Sequence, residues 1–259
     1  MKRAFAFVLL AVLLAVRPSP ALVLIGGDQP ANAQPPPNGA PWDHVAELSG
    51  GGTGVYLKKR FIITANHVNL PASVILNGVF YPLDTTWTTG GEMQIGGDDI
   101  KLLRIATDPG LAKLPLISPL DNDLAKRCTI IANGFGNGAV VPNQGWQWGG
   151  AARQRWGSNV TFATVRAGFG GFPRLVTSFD LAVGGSEASI ANGDSGGGLF
   201  QRFGGIWKLS GICVDADTGG ASLYDHDLNT DGNQPDKCYY VRLSDHRDAI
   251  KAIIAAATP

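Results

Sequence analysis

The chain has 259 residues, 44% of them hydrophobic and only 16% charged, with 21 basic side chains matched by 21 acidic ones. That is enough apolar material for one large domain or two small ones with a real core, which excludes a disordered chain. Balanced charge without basic clusters excludes nucleic acid as the main partner.

Residues 1 to about 21 read as a secretory signal. Lys2 and Arg3 precede an apolar stretch from Ala4 to Val16, and Ser19-Pro20-Ala21 supplies the small residues a signal peptidase requires. The apolar stretch is too short to span a bilayer, and no later segment comes close. The expectation is therefore a secreted protein, extracellular or periplasmic, with no membrane attachment once the signal is removed. Ala31-Asn32-Ala33 offers a second cleavage site, but using it would make the signal long and place Arg17 inside it. Loss of Lys2, Arg3 and Arg17 leaves 18 basic against 21 acidic side chains, a slightly acidic mature chain.

A Pro-rich lead-in, Gln34 to Pro41, is followed by short β-branched or aromatic runs separated by Gly, Pro, Asn and Asp. The runs are Thr53 to Leu57, Phe61 to Thr64, Ser73 to Leu76, Ile100 to Ile105, Thr129 to Ala132, Val160 to Val165, Leu175 to Phe179, Ile206 to Val214 and Tyr239 to Leu243. That spacing predicts an all-β barrel or sandwich. Ile117 to Asp123 reads as a connector between halves, and the Gly- and Trp-rich stretch Gly134 to Trp156 as loops around a strand. One helix closes the chain, from about Asp245 to Ala257, with Ser244 as N-cap and Ile250, Ile253, Ile254 and Ala257 on its apolar face. Three cysteines permit at most one internal bridge. Cys213 and Cys238, on runs that read as neighbouring strands, are the expected pair, leaving Cys128 a buried thiol.

Three short stretches carry chemistry only when taken together. Phe61-Ile62-Ile63-Thr64-Ala65-Asn66-His67 is an apolar strand ending on a histidine, and Asp98-Asp99-Ile100 puts acids at the mouth of another strand. Each alone is an ordinary strand end. Gly193-Asp194-Ser195-Gly196-Gly197-Gly198 holds a serine among glycines, which permit φ > 0 and bring backbone N–H groups to one point; alone it is a tight turn. A serine hydroxyl becomes a nucleophile when a histidine takes its proton and a carboxylate orients that histidine. His67, Asp99 and Ser195 supply the three roles.

These motifs, in this order, resemble the active-site motifs of the trypsin/chymotrypsin-like serine peptidases. Leu24-Ile25-Gly26-Gly27 with Pro41-Trp42 resembles that family's mature N-terminus, and Gly134-Phe135-Gly136 a turn early in its second barrel. Trp207 to Ile212, Tyr240 to Ser244 and the final helix resemble its closing elements. The resemblance implies two six-stranded antiparallel barrels, about 22–118 and about 123–259, with the active site in the cleft between them. It further implies an oxyanion hole from the N–H groups of Gly193 and Ser195, a substrate pocket at Ser189, Gly211 and Asp215, and a link from Asp194 to an α-amino group at Leu24. A monomer acting on protein or peptide substrates, with no required cofactor, follows from the same likeness. Val68, Ala191 and Gln201 stand where relatives place bridging cysteines, so the usual disulfides are missing. Ser189 in place of an aspartate argues against Lys/Arg preference, and Val214-Asp215-Ala216 departs from the family's Ser-Trp-Gly.

Two other readings compete. Gly193 to Gly197 also fits the G-x-S-x-G elbow of α/β-hydrolases, but Gly196 to Gly198 opposes the helix that fold needs, and only 64 residues follow Ser195. A catalytically silent member of the same fold, serving as a secreted binding protein, is the non-enzyme alternative. Separately, Asp227, Asn229 and Asp231 with Gly232 begin a calcium-loop pattern. The pattern fails at its twelfth position, Cys238, so a solvated turn-rich loop stands beside structural calcium as its reading.

Overall fold

The computed structural model describes residues 22–257 except 28, 143–144, 167–170, 181–182, 218–222 and 225–235. The strands of the first half are β1 (Val23–Leu24), β2 (Val45–Leu48), β3 (Thr53–Lys58), β4 (Phe61–Thr64), β5 (Ser73–Leu76), β6 (Val79–Pro82), β7 (Glu92–Gln94) and β8 (Lys101–Arg104). Those of the second half are β9 (Lys126–Ala132), β10 (Gly136–Val141), β11 (Gly145–Gly149), β12 (Arg155–Val165), β13 (Arg174–Ser178), β14 (Ala188–Ser189), β15 (Gly198–Phe203), β16 (Ile206–Ala216), β17 (Leu223–Tyr224) and β18 (Lys237–Arg242). One helix, α1 (Arg247–Ala256), follows.

The second half contains a closed barrel in the order β12-β13-β18-β16-β15-β9. The first half is a seven-stranded antiparallel sheet in the order β6-β5-β2-β3-β4-β8-β7. It curls almost shut, because the chain leaving β6 bonds back to the end of β8: Ala106 N–H donates to Pro82 O at 2.8 Å and Asp84 N–H to Arg104 O at 2.7 Å. Its middle strands β3 and β4 bury nearly every residue, as expected where both faces of a strand are covered. The expected two-barrel arrangement is met, with the second half a closed six-stranded barrel and the first a curled sheet of seven strands instead of the six expected.

The chain start departs from the expected grouping. β1 pairs with β14, Val23 opposite Ser189 and Leu24 opposite Ala188, so residues 22–24 pack with the second half. The connector behaves as expected. Ile117 N–H donates to Leu209 O, and Asp123, 1% exposed, takes a two-pronged bond from Arg242 at 2.7 and 2.8 Å.

The helix begins two residues later than expected. His246 occupies the N-cap, while Ser244 and Asp245 stay in the preceding turn and no side chain caps the helix. Ile250 and Ile254 are buried in the main core cluster, with Ile253 and Ala257 partly buried against it. The Cys213–Cys238 bridge does not exist; all three cysteines are free and buried. The strands are neighbours as expected, but Cys213 lies opposite Tyr240 and Cys238 opposite Ala216, with a register shift between Cys213 and Asp215. Burial raises all three thiols, that of Cys238 to about 11, which makes them unreactive. Among the described residues, no helix is long and apolar enough to cross a membrane.

Because α1 is held by an apolar stripe rather than by caps, Ile250→Ala should cost about 2–5 kcal/mol, read as a lower urea midpoint at unchanged slope.

Candidate active site

Antiparallel pairing of β4 with β8 places Thr64 opposite Lys101. The residues just after β4 and just before β8 therefore emerge at the same sheet end, which brings His67 to Asp99. Lys101 secures the corner: its Nζ, almost wholly buried, donates to Val68 O at 2.6 Å and pairs with Glu92 at 2.8 Å. Ser195 arrives from the other half, on the loop between β14 and β15. Gly193 and Gly196 there have φ of +87° and +88°, which side chains rarely tolerate. At Gly196 a Cβ would also collide with Thr53 O.

The loop is fastened to the first half by Thr53. Its N–H donates to Ser195 O at 2.8 Å and its hydroxyl to Gly193 O at 3.1 Å, while the same hydroxyl accepts the Asn133 N–H at 2.9 Å. Gly196 and Gly197 exchange bonds with Cys213 of β16. The N–H groups of Gly193 and Ser195 have no acceptor among the described residues.

His67 joins the two halves. Its Nδ1 lies 2.8 Å from Asp99 Oδ2 and its Nε2 2.8 Å from Ser195 Oγ, and its main-chain N–H donates to Asp99 Oδ1 at 2.9 Å. The bond from Asp99 raises the imidazole pKa above 6.5; burial opposes this, and the charges of Asp99 and Asp215 assist. An open cleft of about 420 Å³ lies beside the pair, lined by His67, Ser195, Gly193, Gly51, Phe135 and Glu47 among others. This arrangement can transfer a proton from Ser195 to His67 and stabilise the resulting cation. Gly193 and Ser195, whose N–H groups are unengaged among the described residues, both line that cleft.

Asp194 is fully buried and accepts the N–H groups of Ala191 at 2.7 Å and Gly134 at 2.8 Å. A third donor is the N–H of Leu22. The expected link to Leu24 is thus corrected by two residues: the Leu24 N–H bonds Asn137 Oδ1 at 2.8 Å instead. Burial raises the Asp194 carboxyl to about 7 despite these three bonds.

The expected pocket residues separate. Ser189 is wholly buried, its hydroxyl 3.1 Å from Cys238 Sγ. Gly211 sits in the barrel wall against Leu199 and Tyr240. Asp215 is exposed on β16, near enough to act on His67. Asp227, Asn229 and Asp231 lie outside the described residues. The roles of Thr53 and Lys101 lie beyond the sequence reading, because their contacts to Ser195, Gly193 and Val68 join segments distant in sequence.

A family model described as Trypsin matches residues 30–224. Among solved structures the chain is similar to two mutants of human heparin binding protein. One is 16% identical at a TM-score of 0.59, covering 88% of this chain and 97% of that one. The other is 15% identical at 0.59, covering 88% and 96%. At such identity the likeness speaks for the fold alone. No curated protein matches.

In a chain extended upstream of Leu22 by a tag, residue 22 offers Asp194 only a peptide N–H. The raised carboxyl then favours folding most below its ordinary value of 3.8 and loses that contribution as pH climbs through about 7. Urea titrations should show stability falling across that window by on the order of 4 kcal/mol more than in Asp194→Asn.

Proposed function

The chain belongs to the trypsin family, and on the geometry of its site we propose that it is a secreted serine endopeptidase that hydrolyses peptide bonds in protein or peptide substrates. The observation that carries the reading is the unbroken chain Asp99–His67–Ser195 beside two unengaged N–H groups. As Ser195 Oγ attacks the scissile carbonyl carbon, its proton passes to His67 Nε2. The carbonyl π pair moves onto oxygen, where the N–H groups of Gly193 and Ser195 hold it. His67 then gives its proton to the departing amine nitrogen, the C–N bond breaks, and an acyl-enzyme remains. Water repeats the sequence, with His67 again as base, and releases the acid. Asp99 keeps Nδ1 protonated and Nε2 free to accept.

Removal of residues 1–21 would free an α-amino group at Leu22, the residue whose backbone nitrogen meets Asp194. We assign activation to that cleavage: the new ammonium pairs with the buried carboxylate and steadies the loop carrying Gly193 and Ser195. The mature enzyme acts as a monomer and needs no cofactor for these steps. The competing reading, a silent binding protein of the same fold, has only the printed name of its structural neighbours in its favour. It leaves the fully assembled triad without a purpose.

A chain starting at Leu22 should be labelled by a fluorophosphonate, and the tagged precursor and Ser195→Ala should not; equal labelling of all three would refute the enzyme. Against a peptide library, Ser195→Ala and His67→Ala should lower kcat on the order of 10⁶-fold. Since His67 must be neutral to accept a proton and its pKa is raised, kcat/KM should climb with pH along a limb centred above 6.5. A limb centred below 6.5 would contradict the Asp99–His67 pairing.

A further inference from the structure

Catalysis by this triad needs Asp99 held still, yet both hydrogen bonds to its carboxylate come from His67, the residue it must orient. Among the described residues no other side chain donates a hydrogen bond to that carboxylate, which is 27% exposed. Val214 stands on β16 where the family's serine is expected, and offers no donor. Orientation has to reach Asp99 through its main chain. The anchor there is Asp98, whose Oδ1 accepts the Asp99 N–H at 2.7 Å. Asp98 is fastened by its own backbone as well, its N–H to Ile95 O at 3.1 Å and its carbonyl to Gln94 Nε2 at 3.0 Å.

The Asp98 side chain, 2% exposed, is gripped from the other half. Arg174 of β13, 1% exposed, donates Nη1 to Oδ2 at 3.0 Å and Nη2 to Oδ1. His246, the N-cap of α1, lies with Nε2 2.7 Å from Oδ2, and its ring packs against Phe172. Nε2 therefore carries the proton, since the carboxylate can only accept. Burial opposes the charge on Asp98, and the bonds from His246 and Arg174 overcome it, holding the carboxyl below its usual range.

Burying three such groups gains little stability over an apolar trio, because lost hydration offsets the attraction. What a saturated buried network supplies is fixed geometry. We propose that Asp98, clamped by Arg174 and His246, is a positioning residue that holds the main chain at Asp99 and locks the two halves at the separation the Asp99–His67–Ser195 chain requires. Only the kinetic arm of its test rests on the peptidase reading.

The test compares the chain starting at Leu22 with the charge-free variant Asp98→Leu/Arg174→Met/His246→Phe. With alignment lost, kcat should fall on the order of 10²-fold while KM stays within about twofold. The low-field proton resonance of His67 Nδ1–H should broaden or shift. That resonance reports the Asp99–His67 bond whether or not the wild type cleaves peptides, so it decides the inference even if the peptidase reading fails. Should the triple variant not fold, single replacements decide: His246→Phe should lower kcat about tenfold or more, and His246→Gln, which keeps a donor, should recover to within about threefold of wild type. A folded variant lacking the clamp with an unmoved Nδ1 resonance, or with kcat and KM both unchanged, overturns the proposal and leaves the network a purely structural element.

Discussion

His67 and Ser195 are 128 residues apart and belong to different halves of the fold, so the 2.8 Å bond between Nε2 and Oγ exists only if the halves are held in register to a fraction of an ångström. Apolar packing alone does not give that precision, because it is non-directional and scales with area. Directional bonds crossing the boundary supply it. Thr53 holds the backbone of Ser195 and Gly193, and Arg174 and His246 hold Asp98. Each joins a backbone or carboxylate of one half to a donor from the other.

The buried acids Asp98 and Asp194 are costly, and their environments differ accordingly. Asp98 meets a guanidinium and an imidazole N–H, and its charge is held. Asp194 meets three peptide N–H groups and no cation, and burial raises it to about 7. One of the three donors is the N–H of Leu22, the residue at which signal cleavage is expected. A carboxyl poised this way is sensitive to the arrival of one positive charge at one atom, whereas Asp98 has its cation already. Two buried carboxyls are thus shifted in opposite directions because one has a cationic partner and the other has only backbone donors among the described residues.

Much of this was legible in the chain. Phe61 to Thr64 and Ser73 to Leu76 emerge as strands with the expected bounds, since local β-branched runs needed no distant information. The triad was legible because each member sits in a stretch with its own local signature, a strand end or a glycine-rich turn. What failed depended on register or on distant partners. The cysteines lie on adjacent strands as read, but a bulge and a two-residue offset face them to Tyr240 and Ala216. Leu24 matched a motif, yet the route of the chain start delivers Leu22 to Asp194 and gives Leu24 to Asn137. Ser244 is a good N-cap by composition, but the bond between His246 and Asp98 sets the helix start two residues later.

Asp98 and Asp99 show why residue type alone could not divide these roles. They are chemically almost identical neighbours in the bend that precedes a strand, where the turn closed by the Asp98 N–H to Ile95 O gives them different surroundings. Asp98 meets Arg174 and His246 of the other half and is sealed, whereas Asp99 remains 27% exposed beside His67. The sealed acid gains rigidity from two fixed donors and is shut off from substrate. The open acid can act on His67 but lacks a second anchor of its own. Joined by a single 2.7 Å bond from the Asp99 N–H to Asp98 Oδ1, each provides what the other's environment denies it.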